Sequence, residues 1–341
     1  MNDLSAMHLV DEELRQALGS LFPPLDFGSQ DLAGMRKGLA TAVQPSNFDH
    51  LDISVEIIEI AGGDGQPLTI ILYRPRRAIG PCGALLHIHG GGFVTGSPLQ
   101  SQENQAKTCA ELACVIVALG YRLAPETRFP GALEDCYAAL QWLANEAPSL
   151  GVDPARIAIG GESAGGGLAA GLALLARDRG EIKIVFQSLI YPMLDDRTCI
   201  ASDPHPHTGH FVWTNEQNRF GWSAILGVEP GTASISSYAA PARAKTLGGL
   251  PPTFIAVGAL DLFLEEDLDY ARRLTRAGVA VELHIYPGAY HGFVRVPDAK
   301  VAIAARQQSQ EALRRALVAP ADRSADGDAA AALVSRSDTT R

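Results

Sequence analysis

The sequence predicts an α/β protein: a mostly parallel sheet of eight strands, covered on both faces by helices. Three observations carry this expectation. Short apolar runs alternate with helical patterns through most of the chain, as expected for strands buried on both faces and joined by helical crossovers. The 341 residues, 47% hydrophobic and 19% charged, suffice for one large core and exclude wholesale disorder. One long segment, residues 195–240, breaks the alternation, and an insertion of that size in such a sheet is usually functional.

Taken in order, residues 1–45 read as N-terminal helices. Apolar residues fall at helical spacing over Asp11–Leu18 and Asp31–Leu39, separated by the breaker Phe22-Pro23-Pro24. The period then changes. Ile53–Ile60 and Leu68–Tyr73 are β-rich and flank the turn Gly62-Gly63-Asp64-Gly65, which predicts an antiparallel hairpin at one sheet edge. Six further strands are expected at Ala84–Ile88, Cys114–Leu119, Ile157–Ile159, Ile184–Ile190, Phe254–Val257 and Val281–Ile285. Helical patterns fall at 99–112, 131–146, 164–178, 262–277 and 298–317. These elements make residues 46–318 the main domain. Its insertion carries an aromatic, helix-like run through Phe211, Trp213, Phe220 and Trp222. Residues 319–341 lack periodicity and read as a disordered tail.

Charge narrows the function. With 28 Lys and Arg against 38 Asp and Glu, the net charge is −10 and no basic block occurs. That argues against nucleic acid or an anionic membrane as partner. The most apolar stretch, Leu112–Leu119, falls far short of the roughly 20 residues a bilayer requires. Met1–Val10 has no signal-peptide pattern. The five cysteines are odd in number and lie in no metal-like spacing, so they read as free thiols in a reducing, cytoplasmic setting.

The chemistry is concentrated in a few motifs. Gly161-Glu162-Ser163-Ala164-Gly165 follows the strand Ile157–Ile159 and opens a helix of small residues. This is the strand–turn–helix context of a nucleophile elbow, where a tight turn projects a serine hydroxyl and flanking glycines avoid backbone collisions. His89-Gly90-Gly91-Gly92 directly follows another strand. Its N–H groups, with that of Ala164, would form an oxyanion hole. A phosphate loop is the plainer reading of such glycines, but neither GxGxxG nor GxxxxGK[ST] occurs. Asp261 stands just after the strand Phe254–Val257, and His291 just after Val281–Ile285. Ser163, Asp261 and His291 thus follow the chain order of a hydrolase triad, at the strand ends where open α/β sheets place their sites. Taken alone, His291 would read as an ordinary loop histidine.

These residues, with Tyr121-Arg122-Leu123-Ala124-Pro125-Glu126, Phe129-Pro130, Gly166 and His291-Gly292-Phe293, make the chain resemble the hormone-sensitive-lipase-like carboxylesterases of the α/β-hydrolase fold. The resemblance spans roughly residues 10–318, and the spacings of 98 residues from Ser163 to Asp261 and 30 to His291 match the family. It implies a two-part cap from residues 1–45 and 195–240. It implies a small-molecule ester as substrate, short- to medium-chain acyl groups, a covalent acyl-enzyme and no cofactor. It assigns Gly91, Gly92 and Ala164 to the oxyanion hole and admits a homodimer. Two departures weaken subfamily placement: Glu162 replaces the commoner Asp or Thr, and the acid motif reads Asp261-Leu262-Phe263-Leu264-Glu265-Glu266. An amidase or formamidase of the same fold remains open. A non-catalytic receptor, as in the plant gibberellin receptors, is disfavoured because His291 is present in its full motif.

Other residues carry plainer readings. Glu162 reads as a backbone-bracing group, and Tyr121–Glu126 as a turn that buttresses the glycine loop. Glu265 and Glu266 are expected on the solvent face of a helix. His205, His207 and His210 lie on a Pro-rich loop without a pre-arranged ligand set, so no metal is expected. His87 shares a strand face with His89 and reads as a buried, hydrogen-bonded residue. Phe211, Trp213 and Trp222 are candidate pocket residues, although aromatics so spaced are more often cap core.

Overall fold

The computed structural model describes residues 4–21, 31–77 and 80–318. The breaker at Phe22–Pro24 and the tail at 319–341 lie outside the described residues. Eight strands form one sheet: β1 (Ile53–Ala61), β2 (Pro67–Pro75), β3 (Cys82–Ile88), β4 (Val115–Leu119), β5 (Val152–Glu162), β6 (Phe186–Ile190), β7 (Thr253–Gly258) and β8 (Val281–Tyr286). Their spatial order is β1-β2-β4-β3-β5-β6-β7-β8. The hairpin β1–β2 is antiparallel, and β2 pairs antiparallel with β4. Every later pairing is parallel. The hairpin therefore occupies one edge, and its short Gly-Asp-Gly turn requires that its two strands run antiparallel.

The helices are α1 (Glu12–Ala17), α2 (Leu32–Ala42), α3 (Gln102–Leu112), α4 (Gly131–Leu150), α5 (Ala164–Arg179), α6 (Asn215–Leu226), α7 (Leu264–Arg276) and α8 (Lys300–Leu317). Alternation along the strands feeds two cores. Leu86, Ile88, Ile159 and Ile255 pack with α4, α5 and α7. Leu85, Ala158, Phe254 and Ala256 face the other way, with α1, α3 and α8.

The insertion departs from expectation. Its helix starts only at Asn215, so Phe211 and Trp213 belong to the preceding loop. The reason is the capping box at Thr214: its hydroxyl accepts the Gln217 N–H at 3.3 Å, and the Gln217 side chain accepts the Thr214 N–H at 2.9 Å. Such a reciprocal cap fixes a helix start. Likewise α7 begins at Leu264, because the Asp261 carboxylate accepts the Phe263 N–H at 3.0 Å and holds 261–263 as a turn.

Candidate active site

The turns that follow β3, β5, β7 and β8 meet at one end of the sheet. Ser163 sits between β5 and α5 with φ +58° and ψ −123°, a conformation that L-residues hold only when their surroundings enforce it. Its N–H donates to the Ile190 carbonyl at 2.9 Å, and its own carbonyl accepts from Gly167 and Met193 at 3.0 Å. A Cβ at Gly165 would collide with the carbonyl oxygens of Ile88 and His89. Glycine there lets the start of α5 press directly on the strand that carries the glycine loop.

Asp261 and His291 converge on this turn. His291 Nδ1 lies 2.9 Å from Asp261 Oδ2, and its Nε2 lies 2.9 Å from Ser163 Oγ. All three side chains are buried, with Ser163 only 7% exposed. The carboxylate accepts a hydrogen bond from Nδ1–H, which leaves Nε2 to accept from the hydroxyl. Three rings surround the imidazole: Tyr191 at 4.6 Å between centroids, Phe263 edge-on at 5.1 Å and Trp213 at 6.1 Å. No sequence motif marks Tyr191 or Phe263 as a neighbour of the histidine. The one available signal was their place directly after a strand end and after Asp261.

The glycine loop is held from below and from the side. Gly91 has φ +128° and Gly92 φ +60°, values that only glycine adopts cheaply. The Gly91 carbonyl accepts from Val94 at 3.1 Å and Thr95 at 2.9 Å. His89 donates through Nδ1–H to the Gly90 carbonyl, 2.8 Å away, and stacks on Tyr121 at 4.3 Å. Burial pushes its pKa down to about 4, so the ring stays neutral. The Tyr121 hydroxyl donates to the His89 carbonyl at 3.0 Å, and the Ala124 N–H donates to Phe93 at 2.9 Å. The segment after Tyr121 thus does buttress the loop. Arg36 of α2 adds a contact no local pattern announced. It donates to the carbonyls of Val94 at 2.7 Å and Ala124 at 2.5 Å, and pairs with Glu126 at 2.8 Å.

The aromatic candidates separate. Trp213 lies against Gly92, where an added Cβ would strike its ring, and donates through Nε1 to Asn218 at 3.3 Å. Phe211 is buried 6.2 Å from Tyr290. Trp222 is fully buried beneath Phe93, 5.2 Å between rings. Only Trp213 among these three has a ring contact with His291 and a face on the glycine loop.

Two expectations change. Glu162 meets a side chain rather than the backbone: both its oxygens lie 3.0 Å from His87 Nε2. Glu266 does not face solvent; it is 7% exposed and accepts the N–H groups of Leu194 at 2.6 Å and Asp195 at 3.2 Å, with Thr198 also donating to it. The turn after β6 needed an acceptor, and α7 delivers one. Glu265 is exposed as expected. On the Pro-rich loop, the His207 N–H donates to His205 Nδ1 at 3.2 Å, and His210 Nε2 lies 3.0 Å from the Pro206 carbonyl. Among the described residues no three His, Cys, Asp or Glu side chains converge as metal ligands would.

Residues 85–295 match a family model described as alpha/beta hydrolase fold. Esterase LipI of Mycobacterium tuberculosis is 35% identical over 264 residues, 72% of this chain and 76% of that protein. The chain belongs to the hormone-sensitive-lipase-like carboxylesterases of the α/β-hydrolase fold. Ethyl acetate hydrolase of Pseudomonas putida is similar to this esterase at 34% identity, over 68% of the chain and 73% of its relative. Among solved structures, a bacterial heroin esterase superposes with a TM-score of 0.85 and 38% identity, covering 92% of this esterase and all of that chain. The protein is therefore an ester hydrolase, and its substrate is a small-molecule ester. No described helix is long and apolar enough to cross a membrane.

Proposed function

We propose that this esterase hydrolyses short- to medium-chain acyl esters through a covalent acyl-enzyme on Ser163. The observation that carries the reading is the hydrogen-bonded run from Asp261 through His291 to Ser163, 2.9 Å at each step. Ser163 Oγ attacks the ester carbonyl while His291 Nε2 takes its proton. The tetrahedral oxyanion is held by the N–H groups of Gly91, Gly92 and Ala164. His291 returns the proton to the leaving alcohol, then activates the water that releases the acid. Asp261 orients the imidazole and stabilises its cation.

A short acyl preference is supported by Trp213, whose ring covers Gly92 beside His291. The relatives named for ethyl acetate and heroin point the same way, since both compounds are acetyl esters. A cytoplasmic setting is supported by five free thiols, four of them buried.

The test is a panel of p-nitrophenyl esters of graded acyl length with a matching anilide. Turnover should fall with acyl length, with little anilide cleavage, and a fluorophosphonate should label Ser163. Every catalytic role is filled by a protein group, so a chelator should leave the rate unchanged. Labelling at another residue, or anilide cleavage that outruns the esters, would refute the reading.

A further inference from the structure

The strands β3 and β5 lead into the two halves of the site: β3 into the glycine loop and β5 into Ser163. Their hydrogen-bonded ladder ends at the pair Ile88↔Gly161. Beyond it, Glu162 pairs with Ile190 of β6, and the Ser163 N–H bonds to the same residue. The nucleophile is thus tied by backbone to β6, the neighbour away from the glycine loop. The fit to the loop rests on close contact: a Cβ at Gly90 would lie 2.8 Å from the Glu162 carbonyl oxygen and 3.3 Å from Ser163 Cβ.

One side-chain bond spans the gap where the ladder has stopped. His87 and Glu162 project from the face of the sheet that packs on α3 and α8, opposite the nucleophile. Both Glu162 oxygens lie 3.0 Å from His87 Nε2. Nε2 therefore carries a proton, and the bond joins the residue two before His89 to the residue just before Ser163. We propose that the His87–Glu162 pair is a positioning clamp that fixes the distance between the nucleophile and the oxyanion donors. This rests on the reading of Ser163 as nucleophile and of Gly91 and Gly92 as donors. The consequence is chemical because the oxyanion forms only as the ester is attacked and is absent from the bound substrate. A small slip of β3 against β5 would leave the substrate bound and the donors misaligned.

The clamp is open to mutation. His87 and Glu162 line a cavity of about 70 Å³ between α3 and α8. Trimming either side chain enlarges an existing space rather than removing close-packed core.

The experiment compares His87→Ala, Glu162→Ala, the double variant and Glu162→Gln with the parent enzyme on one short-chain ester, with Ser163→Ala alongside. Each alanine variant should lower kcat by about 10- to 100-fold, the range that sub-ångström to 1 Å misplacement costs. KM should stay within about threefold, as expected when only transition-state contacts are lost. Affinity for a trifluoromethyl ketone, which forms the tetrahedral adduct, should fall in parallel with kcat. The double variant should be no slower than the worse single one, because the second change removes a bond already broken. Glu162→Gln keeps an oxygen acceptor for Nε2–H and should recover most of the rate. If the alanine variants do not fold, His87→Asn and Glu162→Asp, which shorten the reach but keep polarity, carry the same expectation. Unchanged kcat, losses that multiply in the double variant, or a glutamine variant as slow as alanine would overturn the clamp. Retained ester turnover in Ser163→Ala would instead overturn the nucleophile assignment, so the two failures are distinguishable.

Discussion

Asp261 and Asp267 lie six residues apart in sequence but in opposite hydrogen-bonding environments. Asp261 is buried with both oxygens engaged, one by His291 and one by the Phe263 N–H. Asp267 is equally buried, yet neither of its oxygens has a hydrogen-bond partner among the described residues. Burial, followed by the nearby charges of Glu266 and Asp261, holds its pKa well above the ordinary carboxylate range. The folded state therefore keeps a proton that the unfolded state releases, and this group's contribution to stability falls as pH rises from the unfolded pKa toward the folded one. Asp267→Asn should thus raise Tm relative to the parent by about 2 °C or more at about pH 8 and by little at about pH 4.5. Thermal melts at the two pH values check this; an equal gain at both would show that Asp267 ionises normally. On the proposed mechanism, Asp261→Asn acts on chemistry instead. It should lower turnover by roughly 10⁴, since the amide favours the wrong imidazole tautomer. Glu265→Gln, on an exposed residue, should change the rate by less than about tenfold. Glu266→Ala strands two backbone N–H groups and should cost about 1–3 kcal/mol of stability. Parallel ester assays and melts separate these outcomes; a glutamate variant with the deeper loss of turnover would displace Asp261 as the triad acid.

At the scale of elements, α2 and α6 hold the site from distant parts of the sequence. Arg36 of α2 reaches two carbonyls around the glycine loop. Gly221 of α6 lies so close to Gly92 that an added Cβ would stand 2.8 Å from its carbonyl oxygen. Gly38 of α2 is exposed, with nothing within 4 Å of its Cβ position. The same substitution should therefore have opposite signs. Gly38→Ala should stabilise by about 0.5–1 kcal/mol, the ordinary helix-propensity gain. Gly221→Ala should destabilise, and should also lower kcat by displacing the loop beneath it. Denaturation midpoints and ester kinetics on both variants decide the matter. A stabilised, fully active Gly221→Ala would mean that α6 stands off the glycine loop.

Across the whole molecule, what could be read from the sequence follows a physical boundary. Strand and helix periods, the Gly-rich turns and the chain order Ser163, Asp261, His291 are written in stretches of a few residues. Each is governed by local sterics and by which face is apolar, so the eight strands, the edge hairpin and the convergence of the three side chains were legible in advance. The burial of Glu266 was not. Its amphipathic helix offers several polar positions, and only the packing of α7 on the turn after β6 selects the one that meets two unpaired N–H groups. The separation of Trp213 from Trp222, the reach of Arg36 and the bond between His87 and Glu162 belong to the same class. Each joins surfaces brought together by the fold from distant parts of the chain, and no local period encodes which polar group will find which partner. The sequence determined the sheet and the chemistry at its strand ends; the tertiary structure alone decided which buried groups hold that chemistry in register, because pairing of buried polar groups is settled only when the surfaces close.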